Sequence, residues 1–356
     1  MSLNVGNDDD RAGRMTGADG AALAVRSTAV AKAEQPKGRI ARVLDSDLLY
    51  SLSRSPVTII AAIVTVLMIL AALMAPVIAP YAPYDPASLN LMDGFTPPGE
   101  PNQFTGNVYL MGADNQGRDV FSTILYGTRL SLLIGVSAVG LAMFIGILAG
   151  LVAGYRGGWA ETIIMRAADI QLTFPSILVA LLIFGIVRGY ATPPPGLEDI
   201  SAFRSWVASI DKETLALAVL ILSIGLSEWV QFARVVRGAT LVEKNKEYVA
   251  AARLIGRSSW AIMLRHILPN VLGPVLVIAT IGLALAIIAE ATLSFLGVGM
   301  PPTQPSLGTL IRIGQDFLFS GEWWILFFPA VTLLALALSV NLLGDWLRDA
   351  LNPRLR

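Results

Sequence analysis

Apolar positions in this chain fall in long unbroken runs. Ser55 to Tyr84, Leu130 to Tyr155, Ile170 to Val187, Ile267 to Ala289 and Trp323 to Gly344 contain no charge, and Thr214 to Ala233 contains only Glu228. A helix crosses a hydrocarbon core of about 30 Å with roughly 20 apolar residues. Each run reaches or approaches that length, and Ile170–Val187 does so if its helix starts a turn earlier, near Met165. Buried strands of soluble sheets take about 4–8 residues, so runs of this length read as membrane helices. The pattern predicts an all-α polytopic membrane protein with six transmembrane helices, at about 57–79, 130–155, 163–187, 214–235, 268–292 and 323–346.

Charges at the flanks set the orientation. With the N-terminus inside, internal segments hold twenty of the 26 Lys and Arg; external ones hold six, namely Arg118, Arg129, Arg188, Arg204, Lys212 and Arg312. Both termini are therefore expected in the cytoplasm of a multi-pass plasma-membrane protein. Residues 1–54 are rich in Gly, Ala, Asp and Arg and lack apolar periodicity, which suits a largely disordered cytoplasmic tail ahead of a membrane domain over 55–356. A cleaved signal peptide would place its apolar core near the start. Here the first run begins around Val57 and is long, as in a retained anchor.

Composition sharpens this picture. Hydrophobic residues make up 54% and charged residues 15%, against about 25% charged in soluble domains; mean hydropathy is +0.64. Lys plus Arg equals Asp plus Glu at 26 each, so net charge points to neither nucleic acid nor an acidic ligand. With no Cys and one His, His266, disulfides and thiol chemistry are excluded, and a protein-built zinc or iron site is disfavoured. No Gly-x-x-x-x-Gly-Lys-Ser/Thr phosphate loop occurs, nor a His-Glu-x-x-His or Gly-x-Ser-x-Gly motif. The chain is expected to be non-catalytic, with no cofactor of its own.

Three outer segments are turn-rich: Pro80–Arg129, Arg188–Glu213 with Pro193, Pro194 and Pro195 and an amphipathic stretch around Phe203–Ile210, and Leu296–Glu322. They read either as plain connections or as a docking surface for a delivery protein. Between spans four and five lies an inner loop, 236–268, too long for a plain turn. Glu247 to Leu254 favours helix, Gly256 suits a left-handed C-cap, and Ser258 or Ser259 can cap a second helix. The pattern predicts two short helices at the inner face joined by a glycine bend. On spacing alone, a passive interfacial hairpin and a docking handle stand level.

Ala251-Ala252, Gly256 and Leu268-Pro269 fall at the spacing of the EAA loop, so the segment resembles that of ABC importer permeases. Ala250 stands where that family has glutamate and His266 where isoleucine is usual; Glu247, one turn earlier, can take the glutamate's place. Further stretches are similar to the C-type permeases of the dipeptide/oligopeptide/nickel group. They include Gly112-Ala-Asp114 with Gly117-Arg118-Asp119, Tyr126-Gly127 with Arg129, Phe174-Pro175, Glu290 with Leu293-Ser294-Phe295-Leu296-Gly297, and Asn341 to Arg354. The resemblance runs from about Ser55 to Arg354 and implies the six-helix type I (MetI-like) permease fold. It also implies a homologous second permease, two ABC ATPase subunits that bind ATP and Mg, an extracytoplasmic substrate-binding protein and a peptide substrate. The ATPase-coupling residues it implies are Glu247, Ala250, Ala251, Ala252, Arg253, Gly256, Arg265, His266, Leu268 and Pro269. Dipeptides, oligopeptides, nickel chelates and haem-like cargo all suit the group.

Few ionisable residues lie within the runs: Glu228, Glu290 near the outer end of span five, and Asp169 and Asp345 at inner ends. Burying a charge mid-bilayer costs about 2.5–3.5 kcal/mol on insertion scales. Glu290 can serve the outer mouth of a pathway or a helix-packing hydrogen bond; Glu228 can pair with Arg234 or Gln231. His266 reads as structural rather than a proton switch, and Pro175, Pro274 and Pro329 as kinks. A competing class, an ion-coupled secondary transporter, would need paired acids at mid-span and an inverted repeat; neither is evident.

Overall fold

The computed structural model describes residues 55–85, 89–191 and 210–350. The leading tail, the three consecutive prolines and all but the last residue of the Phe203–Ile210 stretch lie outside them. Nine helices of eight or more residues are found among the described residues: α1 Pro56–Leu73, α2 Val120–Arg156, α3 Gly158–Leu172, α4 Ser176–Ala191, α5 Lys212–Glu243, α6 Glu247–Leu254, α7 Leu268–Phe295, α8 Leu307–Phe317 and α9 Trp324–Ala350. Five helical stretches are long and apolar enough to cross a membrane, six if α3 and α4 form one bent span.

Helix α1 starts where Ser55 accepts the Thr58 amide and a proline occupies the first turn. Its large side chains, Ile60, Ile63, Leu67 and Leu70 among them, are exposed, while Thr58, Ala61, Thr65 and Ala72 are buried as the helix packs on α9. Small residues at the contact and large ones outward suit a helix in lipid, where close backbone approach replaces the hydrophobic drive.

Helix α2 begins ten residues before the run at Leu130, because the Asp119 carboxylate caps the Ser122 amide at 2.9 Å and stabilises a start ahead of Arg129. It ends at Gly157, where φ is +67°. Its main partner is α5. Gly146, Gly150 and Gly154 form a stripe every fourth residue: a Cβ on them would stand 2.4 Å from Phe232 Cβ, 2.6 Å from the Ala233 carbonyl and 2.7 Å from Thr240 Cβ. Nothing larger fits that contact. Helix α5 in turn runs two turns past the expected end near 235, to Glu243.

The expected single helix at 163–187 is instead two, α3 and α4, meeting at 99°. Pro175 has no amide to donate and disfavours helical geometry at Phe174, so the chain breaks there; the Thr173 hydroxyl closes the end of α3 on the Ile170 carbonyl at 2.6 Å. Helix α7 crosses α2 and α5, and α9 packs against α7, α8 and α1. One apolar core gathers Ile134, Leu220, Ile224 and Phe232 with Val249, Ile262, Met263 and Ile267; a second, around Ile124, Ile287, Leu307 and Trp324, lies under α8.

Candidate functional site

The α6 hairpin belongs to the first of these cores, which makes it part of the bundle rather than a floppy appendage. After α5, the Lys244 ammonium donates to the Gly154 carbonyl at 2.8 Å, fixing where the chain turns. Glu247 opens α6, where a carboxylate suits the positive end of the helix dipole. Val249 and Ala252 are buried. Glu247, Ala250, Ala251 and Leu254, spaced along the opposite face, are exposed.

A Schellman cap ends the helix: the Gly256 amide donates to the Arg253 carbonyl at 3.0 Å and the Arg257 amide to that of Ala252 at 3.1 Å. Gly256 sits at φ +80° with open space around it, so conformation and not room demands glycine. Beside the bend, Leu254 and Ile255 are 89% and 78% exposed. They and the two alanines form an apolar knob rimmed by Glu247, Arg253 and Arg257.

Beyond the bend, Ser258 accepts the Ala261 amide at 3.3 Å and starts a turn at Ser259–Ile262. The expected second short helix does not stand apart. It passes through a π turn at Met263–Ile267 straight into α7. The π turn takes up one extra residue, with the Leu268 amide reaching back to the Met263 carbonyl. Pro269 thereby falls in the first turn of α7, where a missing amide costs nothing. Ile262, Met263 and Ile267 are buried under this turn.

Polar clamps tie the hairpin to three helices. The Tyr248 hydroxyl donates to Glu243 at 2.5 Å, and the Asn270 amide donates to Tyr248 Oη at 3.2 Å and to the His266 carbonyl at 2.7 Å. Burial, and then the Glu243 carboxylate, push the Tyr248 phenol up to about 12. Arg253 lies over the Tyr155 ring at 5.1 Å and donates to its hydroxyl at 3.3 Å. Arg156 lies over Trp260 at 5.8 Å. The half-buried His266 has Nδ1 3.4 Å from the Ala261 carbonyl, to which it donates. Arg265, Leu268 and Pro269 lie on the far arm, Arg265 and Pro269 exposed and Leu268 against the core.

The two candidate acids lie elsewhere. Glu290 is fully buried and accepts from Ser131 at 2.8 Å and Ser294 at 2.6 Å. Ser131 accepts the Leu307 amide at 3.2 Å, so this carboxylate joins α7, α2 and the start of α8. Glu228 lines a cavity of about 190 Å³ with Gln171 and Ser176 and accepts from Gln231 at 3.1 Å. Arg234 turns to Asp169 at 2.7 Å instead. In the segment just before α2, a buried ion pair, Asp114–Arg118 at 2.6 Å, is extended by Arg118 donating to the Pro302 carbonyl, between α7 and α8, at 2.8 Å.

Residues 146–356 match the family model described as binding-protein-dependent transport system inner membrane component. Residues 46–98 match one described as the N-terminal TM domain of oligopeptide transport permease C. The dipeptide transport system permease protein DppC of Haemophilus influenzae is 35% identical over 301 residues, 83% of this chain and 91% of that protein. The oligopeptide transport system permease protein OppC of Bacillus subtilis is 34% identical over 310 residues, 87% of this chain and 90% of that protein. A solved chain of the MetNI methionine ABC transporter, in inward-facing conformations, is 20% identical and covers 65% of this chain and 96% of its own length, with a TM-score of 0.46.

Proposed function

Because the chain belongs to the family of binding-protein-dependent transport system inner membrane components, we propose that it is the permease subunit of an ATP-driven peptide importer and that the α6 hairpin is its handle. The relatives are named for dipeptide and oligopeptide transport, and their cargo class suits this chain. In this reading the hairpin faces the cytoplasm with both termini. A homologous second permease completes the pathway, two ABC ATPase subunits bind ATP and Mg, and an extracytoplasmic binding protein delivers the peptide. The chain itself does no chemistry.

One observation carries the mechanism: the knob of Ala250, Ala251, Leu254 and Ile255 is exposed while its underside is locked into the bundle core. Closure of an ATPase dimer pulls on the knob. The pull passes through Val249 and Ala252 to the core, through Arg253 to α2, and through the unbroken turn at Met263–Ile267 into α7. A hinged hairpin would absorb that displacement; a packed one transmits it. Glu247 and Arg257 at the rim supply charged contacts, with Glu247 in place of the glutamate absent at Ala250.

Glu290 acts as a packing group at the far end, its oxygens taken by serines. An ion-coupled secondary transporter is not favoured, since the family is that of binding-protein-dependent transport components and the relatives are named as peptide transport permeases. Purification in mild detergent tests the proposal: the chain brings down two ATPase subunits and a second permease, and the complex in liposomes takes up peptide only with ATP. Transport by the isolated chain without ATP contradicts it.

A further inference from the structure

At the end of the bundle opposite the hairpin, a cavity of about 400 Å³ opens between α4, α5 and the segment leading to α8. That volume lies within the range of small-molecule sites, about 300–1,000 Å³. Three cations from three separate elements line it: Arg188 of α4, Lys212 of α5 and Arg312 of α8. The described lining contains no acidic residue, and its remainder is apolar, with Phe184, Leu215 and Met300 among it.

Among the described residues neither Lys212 nor Arg312 has a carboxylate partner. The acid next to Lys212, Glu213, is engaged by the Thr303 hydroxyl at 2.8 Å. Arg188 lies over the Phe184 ring at 5.8 Å. Gly297 stands at φ +83°, and Arg312 Nη1 lies 2.9 Å from the place a Cβ would take there, so only glycine lets the guanidinium lie against this wall. Lys212 and Arg312 are both exposed at this hollow, so an anion seated in it meets two positive charges from two different helices.

The geometry points to this hollow as a carboxylate subsite that holds the C-terminus of the peptide cargo on the binding-protein side of the pathway. This rests on the peptide-importer reading above. Every peptide ends in a carboxylate whatever its side chains, so cations here grip the part common to all cargo while the apolar wall tolerates variety. An arginine meets a carboxylate with two parallel hydrogen bonds, and Lys212 adds a point charge.

The test uses the full chain with its partner subunits in lipid nanodiscs, and radiolabelled dialanine and dialanine amide as probes, by equilibrium dialysis. The wild type binds dialanine about tenfold more tightly than the amide, as expected for one charge-assisted hydrogen bond. The Lys212→Gln/Arg312→Gln double variant loses that preference, and the charge-preserving Lys212→Arg/Arg312→Lys variant keeps it. No saturable binding by the wild type, no preference for the free acid, or a preference that survives in the glutamine variant overturns the assignment. So does a glutamine variant that binds dialanine normally but needs more binding protein to stimulate ATP hydrolysis, which would make these cations a protein-docking patch. ATP-driven uptake by the wild type is read separately, so failure of the importer reading is distinguishable from failure of the subsite.

Discussion

Replacing Gly256 is the sharpest probe of the hairpin. The residue sits at φ +80° with nothing within 4 Å of a would-be Cβ, so Gly256→Ala introduces no clash. Its whole effect is conformational: an alanine in the left-handed region costs about 1–2 kcal/mol. That cost bears on the two capping bonds, Gly256 to Arg253 and Arg257 to Ala252, at 3.0 and 3.1 Å. It shifts the balance between capped and frayed hairpin by about 5–30-fold. The bundle core is untouched, since Val249, Ala252 and Ile262 keep their places. Gly256→Pro goes further, removing the Gly256 amide and forbidding the positive φ. The assays are ATP-driven peptide uptake by the reconstituted complex, hydrogen exchange at residues 254–258, and thermal melting in detergent. Faster exchange and partial loss of uptake are expected for alanine and near-complete loss for proline, with melting of the bundle little changed. Wild-type exchange and uptake in the proline variant would refute the lever.

Other consequences follow from the same geometry. Gly150→Val would place a side chain 2.6 Å from the Ala233 carbonyl; overpacking of this kind costs about 1–3 kcal/mol and lowers the detergent melting temperature, which an unchanged melt would contradict. Glu290→Leu strands the Ser131 and Ser294 hydroxyls in a buried site at about 1–3 kcal/mol, whereas Glu290→Gln retains partners and melts closer to the wild type. Tyr248→Phe removes the bridge between Glu243 and Asn270 and reduces uptake without preventing assembly, measured by co-purification. The Tyr248 phenol is raised to about 12 in the folded chain, above its ordinary value near 10. Its contribution is therefore complete below about pH 10 and lost as pH rises through about 12. Hydrogen exchange at the hairpin should accordingly show no Tyr248-dependent change between pH 6 and 9.

The apolar runs were legible because lipid imposes a length on every spanning helix, and the Gly256 cap and Ser258 start because both are local backbone chemistry. What escaped the sequence depended on neighbours. Pro175 signals a kink by itself, but not that the turn between α3 and α4 reaches 99°. The early start of α2 follows from one cap, Asp119, which carries the helix back past Arg129. The Gly146–Gly150–Gly154 stripe was visible as a four-residue glycine repeat, but its meaning lies in the α5 backbone pressed against it. The π turn before Pro269 fused two elements that helical spacing had separated. Arg188, Lys212 and Arg312 are distant in sequence, and only the fold brings them to one hollow.

The chain contains no cysteine, so Leu254→Cys, at a position 89% exposed on the knob, supplies a single addressable thiol. Labelled with a benzophenone maleimide in membranes carrying all subunits and then irradiated, it should cross-link to an ATPase subunit, with a yield that changes when ATP is added. A thiol that links only to lipid or to its own chain, with or without ATP, would contradict the account of this hairpin as the grip of a separate motor.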